Sequence, residues 1–494
     1  MELEFQKTPI RYLATAIQEV KNTEVTQELR LPDGMPDIGR ILTTNAQVLL
    51  QSKEWDRDRI TAAGKVIVST LYAPEDGTEP RSVDTWIPFQ IRWDGASVDR
   101  EGPMEILPLL RSVDSRSLSS RKMMVRASVS AMLRGYEERE TLLYFPEKVP
   151  EDVQLLENTY SMMIPVEAGE KTVLLDEELM IPGAEKILWC TMNPVVTEQR
   201  VHANQVVFKG CGKLHVLYRD EMLELRNWNG EVDFSQLAQL EGDPDTECQV
   251  AVQMAVTSWK WDFSDGGRLR VKASMVGQYL VHGQRSVRVV QEAYSPRRTV
   301  EASLEQLEIP AQLDARSELL STEALLPGVM GQGIDGRFYP DFPHQKWTTS
   351  GIELEIPGVF QTLIQEENGL QGATGRWEGK LQIPTDERSN LTAVPQSTGF
   401  VRAVSGSDGL DLIGQMELSM QFSSLQQIPM VTALTVGELQ ELPDSRPSLV
   451  ICSCREGSLW DLAKQYGSTV SAIRAANGLQ GEPEDQRMLL IPVI

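Results

Sequence analysis

The chain has 494 residues, enough for about three domains at roughly 150 residues each. Its hydrophobic (41%), charged (24%) and aromatic (6%) fractions are ordinary for a globular protein and exclude wholesale disorder or a collagen-like fibre. With 71 acidic against 47 basic residues the net charge is −24, a field that repels phosphate and so excludes a general nucleic-acid binder or a protein held on anionic lipid by charge.

The N-terminal stretch MELEFQKTPIRYLATAIQEV carries charges throughout and lacks the basic-then-apolar order of a signal peptide. No apolar run approaches the ~20 residues needed to span a bilayer. An intracellular protein is expected. Five cysteines (Cys190, Cys211, Cys248, Cys452, Cys454) are few and odd in number, so no disulfide scaffold is predicted.

Along the chain, TPIRYLATAIQEVKNTEV (from Thr8) and SLEQL (from Ser303) leave room for helix. Most of the remainder reads as strand. ITAAGKVIVSTLY (Ile60 to Tyr72), KMMVRASVSAML (from Lys122), RVKASMVGQYL (Arg270 to Leu280) and MVTALTV (from Met430) alternate apolar and polar residues. YAPEDGTEP and FSDGGR punctuate them as turns.

These strands recur. The segment from Pro36 returns from Pro182: Ile41-Leu42 answers Ile187-Leu188, Gly64 answers Gly210, and Leu71-Tyr72 answers Leu217-Tyr218, every pair 146 residues apart. Val125 to Ser128 faces Val271 to Ser274 at the same offset. A third copy is fainter. Leu326-Pro327-Gly328 lies 145 beyond Ile181-Pro182-Gly183, and Leu363-Ile364 lies 147 beyond Val216-Leu217. Its middle, GQGIDGRFYPDFPHQKW, has diverged. A period this long is too great for a solenoid and predicts tandem β-sandwich or barrel-like domains. Proline and charged residues at FPEKVPEDV, AYSPRRTVE and ELPDSRPS divide the chain into 1–148, 149–296, 297–442 and a final module, 446–494.

That last module has a different grammar. A strand is predicted from Leu449. Ser458, with Asp461 three residues on, caps a helix bearing Leu459, Leu462, Ala463 and Tyr466 on one face. Gly467 stops it. Thr469 opens a second helix with Val470, Ile473 and Ala476, which ends at Asn477-Gly478. A strand from Met488 to Val493 closes a βααβ unit. Trp460 is expected to anchor its core where the first helix meets the sheet.

The order and the residues Ser458 to Ala463, Tyr466, Thr469 to Ile473, Ala476 to Leu479 and Leu489 to Pro492 resemble the LysM domain. LysM domains bind N-acetylglucosamine-containing glycans. The resemblance implies a partner- or glycan-binding rim at Glu456, Gly457 and Ser458 in one loop and Gly478, Leu479, Gln480 and Gly481 in the other. Where the family has Gly-Asp-Thr, this chain has Glu456-Gly457-Ser458; where it has Pro-Gly-Gln, this chain has Glu484-Asp485-Gln486. Acidic bulk at a groove that profits from small residues points toward a protein partner as an alternative to sugar.

The φ-Pro-x4-Ile-Leu start, the Gly-x6-Leu-Tyr strand and the Ala-Tyr-Ser-Pro tail (Ala293 to Pro296) resemble SPOCS domains. Tandem SPOCS repeats followed by one LysM domain are similar to the SipL-like family of spore-coat morphogenetic proteins. The resemblance implies a non-enzymatic scaffold in the mother cell, recruited to the forespore surface. Its LysM domain would bind the coat morphogenetic ATPase, with peptidoglycan glycan as the alternative ligand.

Other constellations carry no chemistry. Gly331 to Gly336 matches a dinucleotide fingerprint in letters only, because Pro340 and Pro343 forbid the helix it needs. Gly210-Cys211-Gly212-Lys213 lacks the first glycine and the closing hydroxyl of a phosphate loop. Cys452-x-Cys454 is too tight for a zinc pair, and the four histidines are scattered. His215 reads as a packed or surface residue. No His stands beside a candidate Ser or Cys nucleophile. Neither cofactor, metal nor catalytic residue is expected.

Overall fold

The computed structural model describes residues 1–95, 102–242, 248–385, 389–399, 401–440, 447–453, 458–481 and 488–494. Its first unit holds β1 (Phe5–Arg30), β2 (Ile38–Asp56), β3 (Arg59–Pro74), β4 (Arg81–Asp94), β5 (Met104–Ser119) and β6 (Lys122–Pro146). They form two antiparallel sheets, in the orders β2-β3-β4 and β1-β6-β5. The alternation along β3 turns Ile60, Ala62, Val66 and Val68 inward. They meet Ile106 and Val113 of β5 and Met123, Val125 and Ala127 of β6 in one core. The unit is a β-sandwich.

The second unit repeats this with β7 (Gln154–Met180), β8 (Ala184–His202), β9 (Gln205–Asp220), β10 (Leu225–Gln239), β11 (Cys248–Ser264) and β12 (Arg268–Tyr294). Its sheets run β8-β9-β10 and β7-β12-β11. The third unit comprises β13 (Val300–Pro327), β14 (Gln332–Pro340), β15 (His344–Thr348), β16 (Gly351–Glu366), β17 (Gly369–Ile383), β18 (Ser389–Ser397), β19 (Arg402–Ser405) and β20 (Gly409–Val436). Here β14 and β15 both pair with β16, doing together what β2 does alone in the first unit. The break between them lies at Pro340 and Pro343, neither of which can donate to a ladder. In the same way β18 and β19 share β20.

The ladder defects record the duplication. The β2/β3 register shifts at Ile41/Thr43 and Leu50/Ser52, and the β8/β9 register shifts at Ile187/Trp189 and Val196/Glu198, each 146 residues later. Leu110/Ser112 in β5 is matched by Val256/Ser258 in β11 at the same distance. The third unit has the equivalent bulge at Gly333/Asp335. These bulges set Thr43 opposite Leu71, Trp189 opposite Leu217 and Asp335 opposite Leu363. Leu363 therefore answers Leu217 at 146 residues, and the sequence-based offset of 147 is one residue out.

The three units close around a shared centre. Leu71, Leu217 and Leu363 are all fully buried in one cluster with Leu42, Leu188 and Trp189, and Ile334 packs against it. The same two positions of each unit, 42/188/334 and 71/217/363, thus meet at one point. A second shared cluster gathers the long outer hairpins: Tyr12 and Leu143, Met162 and Val289, Ile309 and Met430. Residues 1–3 run beside the end of β20, with Leu3 N–H donating to the Leu434 carbonyl at 2.9 Å and Val436 N–H to that of Met1 at 2.8 Å. This ties the first unit to the third.

The two segments read as compatible with helix are strand. TPIRYLATAIQEVKNTEV lies in β1, which pairs with β6 from Phe5↔Pro146 to Arg30↔Lys122, and SLEQL lies in β13, which pairs with β20. β-Branched Thr, Ile and Val recur through β1, and a helix there would leave one side of β6 unpaired.

The C-terminal unit is β21 (Leu449–Ser453), α1 (Leu459–Tyr466), α2 (Val470–Asn477) and β22 (Met488–Pro492). β21 and β22 pair antiparallel. The molecule is mainly β, with a terminal βααβ unit. Among the described residues no helix is long and apolar enough to cross a membrane.

Candidate functional site

The C-terminal unit follows its local chemistry closely. Ser458 Oγ accepts from the Asp461 N–H at 3.3 Å while the Asp461 carboxylate accepts from the Ser458 N–H at 3.0 Å, completing a capping box. The Ser458 hydroxyl, which also donates to that carboxylate at 2.8 Å, and then the Ser458 N–H pull the Asp461 pKa below the usual carboxylate value. Gly467 ends α1 at φ 64° and Gly478 ends α2 at φ 62°, left-handed conformations that cost a Cβ-bearing residue energy. Thr469 caps α2. Leu459, Ala463, Ile473, Leu489 and Ile491 are fully buried between the helices and the small sheet.

Trp460 joins that cluster, and it also does something the sequence does not announce. Its ring meets Tyr294 of β12 edge-on at 4.7 Å between centroids. Its indole N–H donates to Glu292 at 2.6 Å, and Lys464 forms an ion pair with the same carboxylate. The Tyr294 hydroxyl donates to the Ser468 carbonyl at 3.1 Å. Burial, with Glu292 nearby, pushes the Tyr294 phenol up to about 12. One face of α1 is therefore committed to the end of the second unit. The Ala-Tyr-Ser-Pro tail marks Tyr294 in the sequence, but nothing there pairs it or Glu292 with Trp460.

The rim residues divide into three groups. Ser458 is exposed, but its polar groups serve the capping box. Gly478 is required by backbone conformation, and a Cβ there would meet nothing within 4 Å. Leu479 is half-buried against the unit's core, with its N–H donated to the Arg474 carbonyl at 3.0 Å. Gln480 and Gly481 are exposed. Glu456 and Gly457 lie outside the described residues, as do Cys454, Glu484 and Asp485. Residues 446–494 carry five basic and five acidic side chains, so this unit is neutral on a chain of net charge −24.

The seams between the β units hold further buried polar groups. His215 of β9 sits between Asn229 Oδ1 (2.8 Å) and Asp335 Oδ1 (2.6 Å). Arg337 pairs with Asp335 at 3.1 Å, donates to the Thr44 carbonyl and to Thr43 Oγ1, and lies over the Trp189 ring at 4.9 Å. Burial alone lowers the His215 pKa, but the Asp335 carboxylate outweighs it and holds the imidazole above its ordinary value. Gly331 to Gly336, the formal dinucleotide match, supplies Asp335 to this seam and leads along β14 rather than into a helix. Among the described residues no group of three or more His, Cys, Asp or Glu could hold a metal ion.

Comparison with protein-family models gives two matches. Residues 183–259 match the model described as SipL, SPOCS domain, and residues 457–482 match the LysM domain. The first covers β8, β9, β10 and most of β11; the second covers both helices. No curated protein and no solved structure matches the chain. The matched families are non-catalytic binding domains. The chain carries a SipL-type SPOCS domain and a C-terminal LysM domain, consistent with a SipL-like protein.

Proposed function

We propose that this protein is a non-enzymatic scaffold of spore-coat assembly. It acts in the mother cell and is recruited to the forespore surface, and its LysM unit binds the coat morphogenetic ATPase. The observation that carries this reading is the pairing, in one chain, of a SipL-type SPOCS domain with a LysM domain. The physical setting supports it. The LysM unit is fastened to β12 through α1, while Gln480 and Gly481 stay exposed. The unit's charge balance spares an incoming acidic protein the repulsion that the rest of the chain would exert.

Each unit has its own core, yet the units share a centre. In this reading residues 1–148, 149–296 and 297–442 are three SPOCS-like repeats that form one platform, and 446–494 is the adaptor. Several modest contacts on one chain then add through effective concentration.

The test is capture of the coat ATPase from sporulating cells by the full chain and by Gln480→Arg and Leu479→Glu variants. Loss of capture with retained folding supports the reading. Undiminished capture by both variants moves the contact away from this rim. Co-sedimentation of the full chain with purified peptidoglycan, lost in the same variants, would instead support the glycan reading that LysM membership suggests.

A further inference from the structure

A cavity of about 770 Å³ opens where the three β units meet. That size lies within the range of small-molecule sites. β2 and β5 of the first unit, β8, β9 and β11 of the second, and β14, β18 and β20 of the third all contribute to its wall. Its charge runs against the rest of the protein. The wall includes Arg134, Lys213, His215, Arg316 and Arg337 but one acid, Glu231, in a chain of net charge −24.

The buried part of this wall is not neutral. His215 Nε2 lies 2.6 Å from Asp335 Oδ1 and Nδ1 lies 2.8 Å from the Asn229 side-chain amide, and the buried carboxylate favours the protonated ring. Arg337 is a cation, and both it and His215 lean on the single carboxylate of Asp335. Among the described residues neither has a second carboxylate within ion-pair distance. A buried guanidinium and a buried imidazole thus share one buried carboxylate, so protonation of the imidazole leaves one positive charge in excess. An uncompensated buried charge is costly, and a bound anion would offset it. Beside it, Lys213 forms no ion pair among the described residues, and the Asn45 Nδ2 amide, 98% buried, has no hydrogen-bond partner. Arg134 differs, because Glu105 neutralises it.

We propose that this three-unit cavity binds a small organic oxyanion, bearing carboxylate or phosphate groups, beside His215, Arg337 and Lys213. Such a ligand would touch all three units and favour the closed arrangement over any opened one. Site and ligand class are independent of the LysM reading.

Thermal unfolding of the full chain with citrate, pyrophosphate and, as a neutral control, sucrose tests this. The expected result is a saturable rise in Tm with citrate or pyrophosphate that exceeds the effects of sucrose and of sodium chloride at matched ionic strength. Citrate alone would assign carboxylate chemistry, and pyrophosphate alone phosphate. Lys213→Glu, at a half-exposed position without an ion pair, should weaken the apparent affinity at least about tenfold. H215Q, which removes the protonatable imidazole and leaves Asp335 paired with Arg337, should do the same. The proposal is overturned if neither anion gives a saturable shift up to about 10 mM, a millimolar ceiling that already admits weak binding. It is equally overturned if the shift survives unchanged in Lys213→Glu.

Discussion

The shared centre and the seams around it follow opposite rules. At the centre, equivalent positions carry equivalent residues: Leu71, Leu217 and Leu363, or Leu42, Leu188 and Ile334. At the next position along the strand they do not, although Trp189 still packs into the central cluster. Thr43, Trp189 and Asp335 occupy the same bulge, and Asn45, Thr191 and Arg337 stand two residues on. An apolar centre asks for volume and no direction, so duplicated residues serve it three times over. A polar seam needs donors to find acceptors, and identical side chains would present like groups to one another. Divergence there makes each seam distinct: Arg337 reaches Thr43 and Thr44, Gln47 accepts from the Met192 N–H, and Asn193 donates to the Ser397 carbonyl. The centre holds the units together, and the seams specify which unit sits beside which.

The sharpest way to break this contrast is at the seam. Asp335→Ala would strand Arg337 as a buried cation and leave His215 Nε2 without its acceptor, and should cost about 3–5 kcal/mol in a denaturant titration. A cost below about 1 kcal/mol, the size of an exposed pair, would mean that water reaches the site. At the centre, Leu217→Ala should cost about 3–4 kcal/mol through lost burial and a cavity that three rigid sandwiches cannot close. Leu217→Met, which keeps the volume, should cost less than about 1.5 kcal/mol.

The buried histidines separate the two kinds of contact by pH. His282, in β12, is held neutral by burial and then by Arg134, with its pKa lowered to about 4. A lowered histidine pKa gives stability that is present above the unfolded value near 6.5 and is lost as pH falls toward 4. That loss amounts to about 3 kcal/mol, and His282→Leu should remove it from the pH–stability profile. His215 runs the other way. Its raised pKa gives stability that is complete at acid pH and is lost as pH rises through the folded value. H215Q should therefore flatten the alkaline side of the same profile and leave the acid side alone.

The smallest expected effect lies at the LysM contact. Glu292→Gln removes the ion pair to Lys464 but keeps an acceptor for the Trp460 indole. It should loosen α1 by about 1 kcal/mol, seen as several-fold faster amide exchange in residues 459–466 with the β units unchanged.

Much of this was legible in the sequence. Alternation in ITAAGKVIVSTLY identified β3, and the 146-residue offset identified the duplication, because both are written in local pattern and spacing. Ser458, Gly467, Thr469 and Gly478 marked the ends of both LysM helices, because caps are local chemistry. β1 and β13 were less clear, since partners distant in sequence, from Pro327↔Gly409 to Phe5↔Pro146, decide their strand state. The closed three-unit arrangement could not be read, because Arg337, His215 and Asp335 come together only after two units have folded and met. For the same reason Tyr294 and Glu292 gave no sign that they would receive Trp460. Of the residues that the resemblance placed at the rim, Gly478 answers a backbone requirement and Ser458 a capping one, while Gln480 and Gly481 are exposed.

Hydrogen exchange on the Leu217→Ala variant tests the shared centre most directly. If the three units close around Leu71, Leu217 and Leu363, protection should fall together in β3, β9 and β16, although the substitution lies in β9 alone. Protection lost only across β7 to β12, with β3 and β16 unmoved, would contradict the account.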